Sequence, residues 1–151
     1  MIIRPTRSGT YRVQVLGWQQ SMLTNLVDQL RDLLLDGSSP LLRRLFPTAY
    51  PADAEADAAY ADLVGDQLLA AKLDALDTVE ATVEGGEFTE EQLIGWMQAV
   101  NSLRLVLGTR LDVSEDLDPG DVADDDPDKA LWVSYELLTQ MLAIIVDALE
   151  D

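Results

Sequence analysis

Histidine and cysteine are both absent from this chain of 151 residues. The side chains that most often serve as proton shuttle, nucleophile or transition-metal ligand are therefore missing, and Ser-His-Asp and Cys-His catalysis are excluded. Disulfides and thiol-based redox sensing go with them. Gly85-Gly86 and Pro119-Gly120 lack the residues that a phosphate-binding loop or a dinucleotide fingerprint requires. What remains for chemistry is carboxylate. Asp116, Asp118 and Asp121, or Asp124 to Asp126, offer the oxygen ligands that Ca²⁺ and Mg²⁺ prefer. Their spacing departs from the EF-hand loop, which alternates its first ligands and ends on a distant Glu. The expectation is a hydrated acidic loop, with no catalytic residue, no cofactor and no metal.

Two other sets of side chains have interaction chemistry. Asn101 and Arg104 lie three apart, a spacing that shares one helix face, and Arg110 follows near the end of the same helix. The expected role is structural: arginines tying helices together through ion pairs with some of the 28 carboxylates. The alternative is an anion or partner site. Trp18, Trp96 and Trp132 each fall in an apolar helical stripe, so core packing is the first expectation, although tryptophan is enriched at interface hot spots. Met22, Met97 and Met141 are oxidisable but sit at helical core spacing.

These residues need elements to position them. Residues 10–16 alternate apolar and polar, placing Tyr11, Val13 and Val15 on one strand face. The short run before Thr89, turned by Gly85-Gly86, is its expected partner. Residues 18–36 read as a helix through Trp18, Met22, Leu23, Leu26, Val27, Leu30, Leu33 and Leu34, closed by Gly37. Leu41 to Phe46 reads as a short helix stopped by Pro47, and residues 53–83 as a long alanine-rich helix. Thr89 and Gln92 make a capping box, with Phe88 and Leu93 as its hydrophobic staple. That helix runs through Trp96, Val100, Leu103 and Leu107 to about Leu111. Residues 112–128 hold nine acidic residues interrupted by Pro119, Gly120 and Pro127, and read as a solvated loop. The last helix, from about 129 to 149, carries two apolar stripes. It is therefore expected either at the centre of the domain or against a second subunit, with Trp132, Tyr135, Met141 and Ile144 as candidate interface residues. The whole reads as one mainly α domain, residues 1–151: a bundle of four to five helices with a minor two-stranded β element near the N-terminus.

Charge narrows the partner. Against 28 acidic residues stand 10 basic ones, a formal net charge of −18. Nucleic-acid affinity comes from Lys and Arg neutralising phosphates, so direct DNA or RNA binding is not expected. Arg43-Arg44 is the only adjacent basic pair, and Arg4, Arg7 and Arg12 are spread along the N-terminus. Anionic membranes are disfavoured on the same ground. Residues 1–9 lack the apolar core of a signal peptide, and the longest uncharged apolar-rich stretch, Leu137 to Val146, falls short of a span. The expected location is cytoplasmic.

The runs Leu45-Phe46-Pro47-Thr48-Ala49-Tyr50 and Trp96 with Asn101-Ser102-Leu103-Arg104-Leu105-Val106-Leu107-Gly108-Thr109-Arg110-Leu111 carry a resemblance. With the acidic loop and the aromatic last helix, they resemble the actinobacterial oxidative-stress-regulator (AosR-like) family, long described only as a domain of unknown function. The resemblance implies a cytoplasmic regulator that responds to redox state and controls cysteine biosynthesis with an alternative sigma factor. It also implies a switch built on paired cysteines, which this chain lacks. The reading is therefore a regulatory protein-binding module, homodimeric through the last helix, with no thiol switch and no enzyme activity. The alternatives are a carboxylate- or metal-dependent enzyme, and a direct DNA binder using a helix-turn-helix over residues 89–111.

Overall fold

In the computed structural model the described residues are 1–46, 53–112 and 123–151; at 54, 57 and 60–63 only the backbone is described. The chain opens with strands β1 (Ile2–Pro5) and β2 (Tyr11–Gln14) and helix α1 (Gly17–Asp36). A 3-10 turn at Pro40–Leu42 leads toward α2 (Ala54–Thr82), β3 (Gly86–Phe88), α3 (Glu90–Arg110) and α4 (Lys129–Glu150). The fold is mainly α, with a small antiparallel sheet ordered β1-β2-β3.

The sheet holds three strands where two were expected. β2 pairs with β3 as the alternation over 10–16 predicted, with Val13 opposite Gly86. β1 escapes a sequence reading because it is four residues long and ends on Pro5, too short for alternation to register. Its Ile3 faces the core opposite Val13, while Ile2 is 49% exposed. Gly85 sets the approach of β3 to β2. Its φ is +89°, and a Cβ there would lie 2.7 Å from the Val13 carbonyl oxygen.

α1 begins where Gln19 closes it. The buried Gln19 Oε1 accepts from the Leu16 backbone N–H at 3.0 Å and from the Met1 amine at 3.1 Å. It ends at Gly37, whose φ of +75° is the expected C-terminal glycine geometry. Its buried line is Gln19, Leu23, Val27, Leu30 and Leu34. Trp18 sits one residue, about 100° of helical rotation, off that line. It is 52% exposed, which corrects its assignment to the core stripe. The short helix expected over 41–46 is instead the 3-10 turn, capped by Ser39 Oγ accepting from Leu41 N–H at 3.2 Å. Pro47 to Tyr50 lie outside the described residues.

The start of α3 is as the sequence predicts. Gln92 N–H donates to Thr89 Oγ1 at 3.1 Å, and Thr89 N–H to Gln92 Oε1 at 2.9 Å. Phe88 and Leu93 are buried beneath the cap. α3 packs against α1, α2, α4, β3 and the 3-10 turn, which makes it the central helix. α4 lies mainly on α3 and β1. The core runs through Val13, Leu23, Val27, Leu76, Val79, Trp96, Val100, Leu138 and Ile145. Burying each such side chain contributes about 1.5–3 kcal/mol.

Candidate functional site

α3 carries the polar residues singled out in the sequence, and the fold separates them. Asn101 faces α2, where it lines a cavity of about 240 Å³ with Leu68, Lys72, Ala75, Gln98 and Ser102. Arg104 faces α4: its Nε donates to Thr139 Oγ1 at 2.9 Å, and its guanidinium lies 5.3 Å from the Tyr135 ring centroid. Arg110 is exposed beside a narrow recess lined by α1 residues Leu26, Leu30 and Leu33. The three side chains thus address three different helices and form no joint site. Among the described residues neither Arg104 nor Arg110 makes an ion pair. Arg104 joins α3 to α4 through a hydroxyl and a ring rather than through a carboxylate.

The ion-pair tie between helices exists elsewhere. Arg31 of α1 donates to Asp77 at 3.0 Å and to Glu80, both on α2, and also meets Asp28 at 3.4 Å on its own helix. Hydrogen bonding to Glu80 raises the Arg31 pKa, against a smaller opposing effect of desolvation and with Asp77 adding to the rise. The Asp28–Arg31 spacing was available in the sequence. The reach to Asp77 and Glu80, nearly 50 residues away, was not.

Burial disfavours the Lys72 charge and lowers its pKa. Its Nζ sits 5.7 Å from the Phe46 ring centroid, at the α2–α3 cavity that Asn101 also lines.

The tryptophans divide differently from expectation. Trp96 is fully buried, tilted against Phe88 at 5.6 Å, and its indole N–H donates to Thr82 Oγ1 at 2.7 Å. Trp132 is 6% exposed and edge-on to Tyr135 at 6.4 Å, apart from the main core. Met141 is also buried. Of the four candidate interface residues on α4, Trp132 and Met141 are thus covered by their own chain. Tyr135 and Ile144 keep partial exposure. Ile144 shares an outer face with Val133 and Leu137, at i, i+4 and i+11, and none of the three joins the core. Between residues 130 and 146 the only charge is Glu136.

Among the described residues no group of three carboxylates gathers in a way that could hold an ion. Asp126 instead accepts from the Asp128 backbone N–H at 2.8 Å, and Asp124 pairs with Lys129 at 3.6 Å, both at the start of α4. Asp116, Asp118 and Asp121 lie outside the described residues. α3, the helix a groove-reading motif would need, is enclosed by its neighbours, with ten of its residues buried from Leu93 to Thr109. α4 is the one described helix long and apolar enough to cross a membrane, by length and composition alone.

The fold and the site therefore define a mainly helical protein organised around α3, its polar α3 residues serving the seams between helices. A family pattern places it further. The chain belongs to the DUF2017 family, a domain of unknown function, which matches residues 2–149. No curated protein and no solved structure matches it.

Proposed function

We propose that this protein is a cytoplasmic regulatory module that works by binding other proteins. The observation that carries the reading is the outer strip of α4. Val133, 45% exposed, with Leu137 and Ile144, forms an apolar line on a helix that has one charge between residues 130 and 146. On a protein of net charge −18, a strip with so little charge lets two copies meet with little repulsion. The second copy is the proposed occupant of that strip.

The likeness of the Leu45–Tyr50 and Asn101–Leu111 runs to actinobacterial oxidative-stress regulators supports a finer version. In it the module acts on transcription through a sigma factor or polymerase subunit, in oxidative stress or cysteine metabolism. Without cysteine, any such control operates here without a thiol switch.

Two measurements test this. Light scattering on the purified chain should give a dimer, and Val133→Glu with Ile144→Glu should give a folded monomer; a monomeric parent chain rejects the α4 interface. Affinity purification from the native cell should recover a protein of the transcription machinery; recovery of no specific protein rejects the module.

A further inference from the structure

The sequence places Arg4 and Arg12 apart, yet the hairpin brings them together. β1 and β2 run antiparallel with Arg4 directly opposite Arg12 and Ile2 opposite Gln14, all four side chains exposed. Leu16 continues the alternation past β2, 54% exposed, and Trp18 follows at 52%. Among the described residues the exposed large apolar side chains number six, and Ile2, Leu16 and Trp18 are half of them. Scattered exposed apolar residues need no explanation. Three within one short stretch, beside two facing arginines, form a patch.

The segment that carries this patch has a charge opposite to that of the rest of the chain, although Glu87 of β3 borders it. Residues 1–27 contain Arg4, Arg7 and Arg12 and not one Asp or Glu. All 28 acidic residues lie beyond them. Like charges directly opposite across a strand pair are destabilising, so the Arg4–Arg12 pairing does not serve the fold. One neighbour offsets it in part: Glu87 stands opposite Arg12 on β3, its carboxylate accepting from Thr10 Oγ1 rather than pairing with the guanidinium, so one positive charge of the facing pair is left over. Among the described residues none of the three arginines is in an ion pair.

We propose that the outer face of the sheet at Ile2, Arg4 and Arg12, together with Leu16 and Trp18 at the entry to α1, docks an acidic protein segment that carries apolar anchors. The inference rests on the binding-module reading but uses a surface other than α4. The arginines select carboxylates, and the exposed Trp, Leu and Ile supply the desolvated contact that anchors a segment. A nucleic acid fits less well. Its phosphates gain nothing from Ile2 or Leu16, and a duplex would run past the patch onto acidic surface. A short segment stays inside the roughly 8 Å over which charge acts at physiological salt.

The test uses fluorescence anisotropy with the full chain and three labelled probes: a short synthetic peptide alternating Glu or Asp with Leu and Phe, the same peptide with Lys for each acid, and a DNA oligonucleotide. The acidic peptide should bind, more weakly as salt rises. Arg4→Glu with Arg12→Glu should weaken it by about tenfold or more and give binding to the Lys peptide instead. Trp18→Ala should weaken the acidic peptide by a similar factor, while Leu35→Ala, an exposed apolar residue at the far end of α1, should leave it unchanged. Should the double Glu variant unfold by circular dichroism, Arg4→Gln with Arg12→Gln provides the same comparison. No binding of the acidic peptide, binding indifferent to the arginines, or preference for the oligonucleotide each overturns the proposal. Such a failure leaves the α4 dimer and the affinity purification standing, so the two readings fall separately.

Discussion

α3 and α4 are helices of nearly equal length, 21 and 22 residues, and they take different places in the fold. α4 is the more apolar, with Leu131, Leu138, Ile145 and Leu149 on one face and Val133, Leu137 and Ile144 on the opposite one. That pattern suits either the central helix or a helix with one face against a second subunit, and it is α3 that holds the centre. The difference lies in small residues. Added as a Cβ, a methyl at Gly95 would lie 3.1 Å from Thr78 of α2, and at Gly108 it would lie 3.2 Å from the Tyr135 ring of α4. Ala99 and Ser102 are buried between them. A helix bearing small residues on several sides lets neighbours come close on each of them. A helix of large side chains packs well on one side and leaves the other proud, as at Val133. Mean apolarity measures what a helix would bury; side-chain size decides how many neighbours reach it.

The largest effect expected from this comparison is at Trp96. Trp96→Ala should cost about 3–5 kcal/mol, as for other large buried side chains. Val133→Ala on the outer strip of α4, made in an Ile144→Glu chain so that no second copy covers it, should stay within about 0.5 kcal/mol. Urea denaturation of both variants measures the contrast. Comparable costs at the two positions would break the assignment of α3 as the centre.

Gly85→Ala comes next. α3 follows directly on β3, so its placement depends on how closely β3 approaches β2 at Gly85. Alanine there meets the Val13 carbonyl oxygen in a backbone region that disfavours a side chain. The expected loss is about 2–3 kcal/mol, from strain and from β3 moving off β2. Thermal melting checks it, and a loss below about 0.5 kcal/mol would show that α3 is held without the sheet.

Arg104→Ala probes the seam between the two helices and should cost about 1 kcal/mol through the Thr139 hydrogen bond and the Tyr135 ring. Arg104→Lys should recover little, because an ammonium cannot both donate from the Nε position and lie flat over the ring. A double-mutant cycle with Thr139→Val measures the coupling. Zero coupling would remove Arg104 from the seam.

Much of this fold was legible locally. The Thr89–Gln92 capping box, the Gly37 C-terminus and the alternation at Tyr11, Val13 and Val15 each depend on residues within one turn or strand, and each is realised. What was not legible depends on distant partners. Trp18 and Trp132 look alike in their stripes, and only the packing shows that the first faces out and the second in. Arg4 and Arg12 become neighbours only through a strand register set by the hairpin. Asn101, Arg104 and Arg110 share a helix, but each is claimed by a different neighbour.

The smallest effect sharpens the α2 side of α3. Lys72 is partly buried there with no ion pair among the described residues, and desolvation lowers its pKa from the usual 10.5. In the unfolded chain the amine keeps its proton up to about that value. Between the lowered folded pKa and 10.5 the unfolded state therefore binds more protons, and stability rises with pH across that window. Below it the buried charge is a standing cost, offset in part by the Phe46 ring. Lys72→Met keeps the apolar stem and removes the charge, so it should stabilise the fold at neutral pH by about 0.5 kcal/mol, within the range of surface substitutions. The gain should shrink as pH climbs toward 10.5. Denaturation of both chains at neutral and alkaline pH reads the difference directly. A gain that stays constant with pH would mean that the Lys72 charge is fully solvated and that the α2–α3 cavity is open to water.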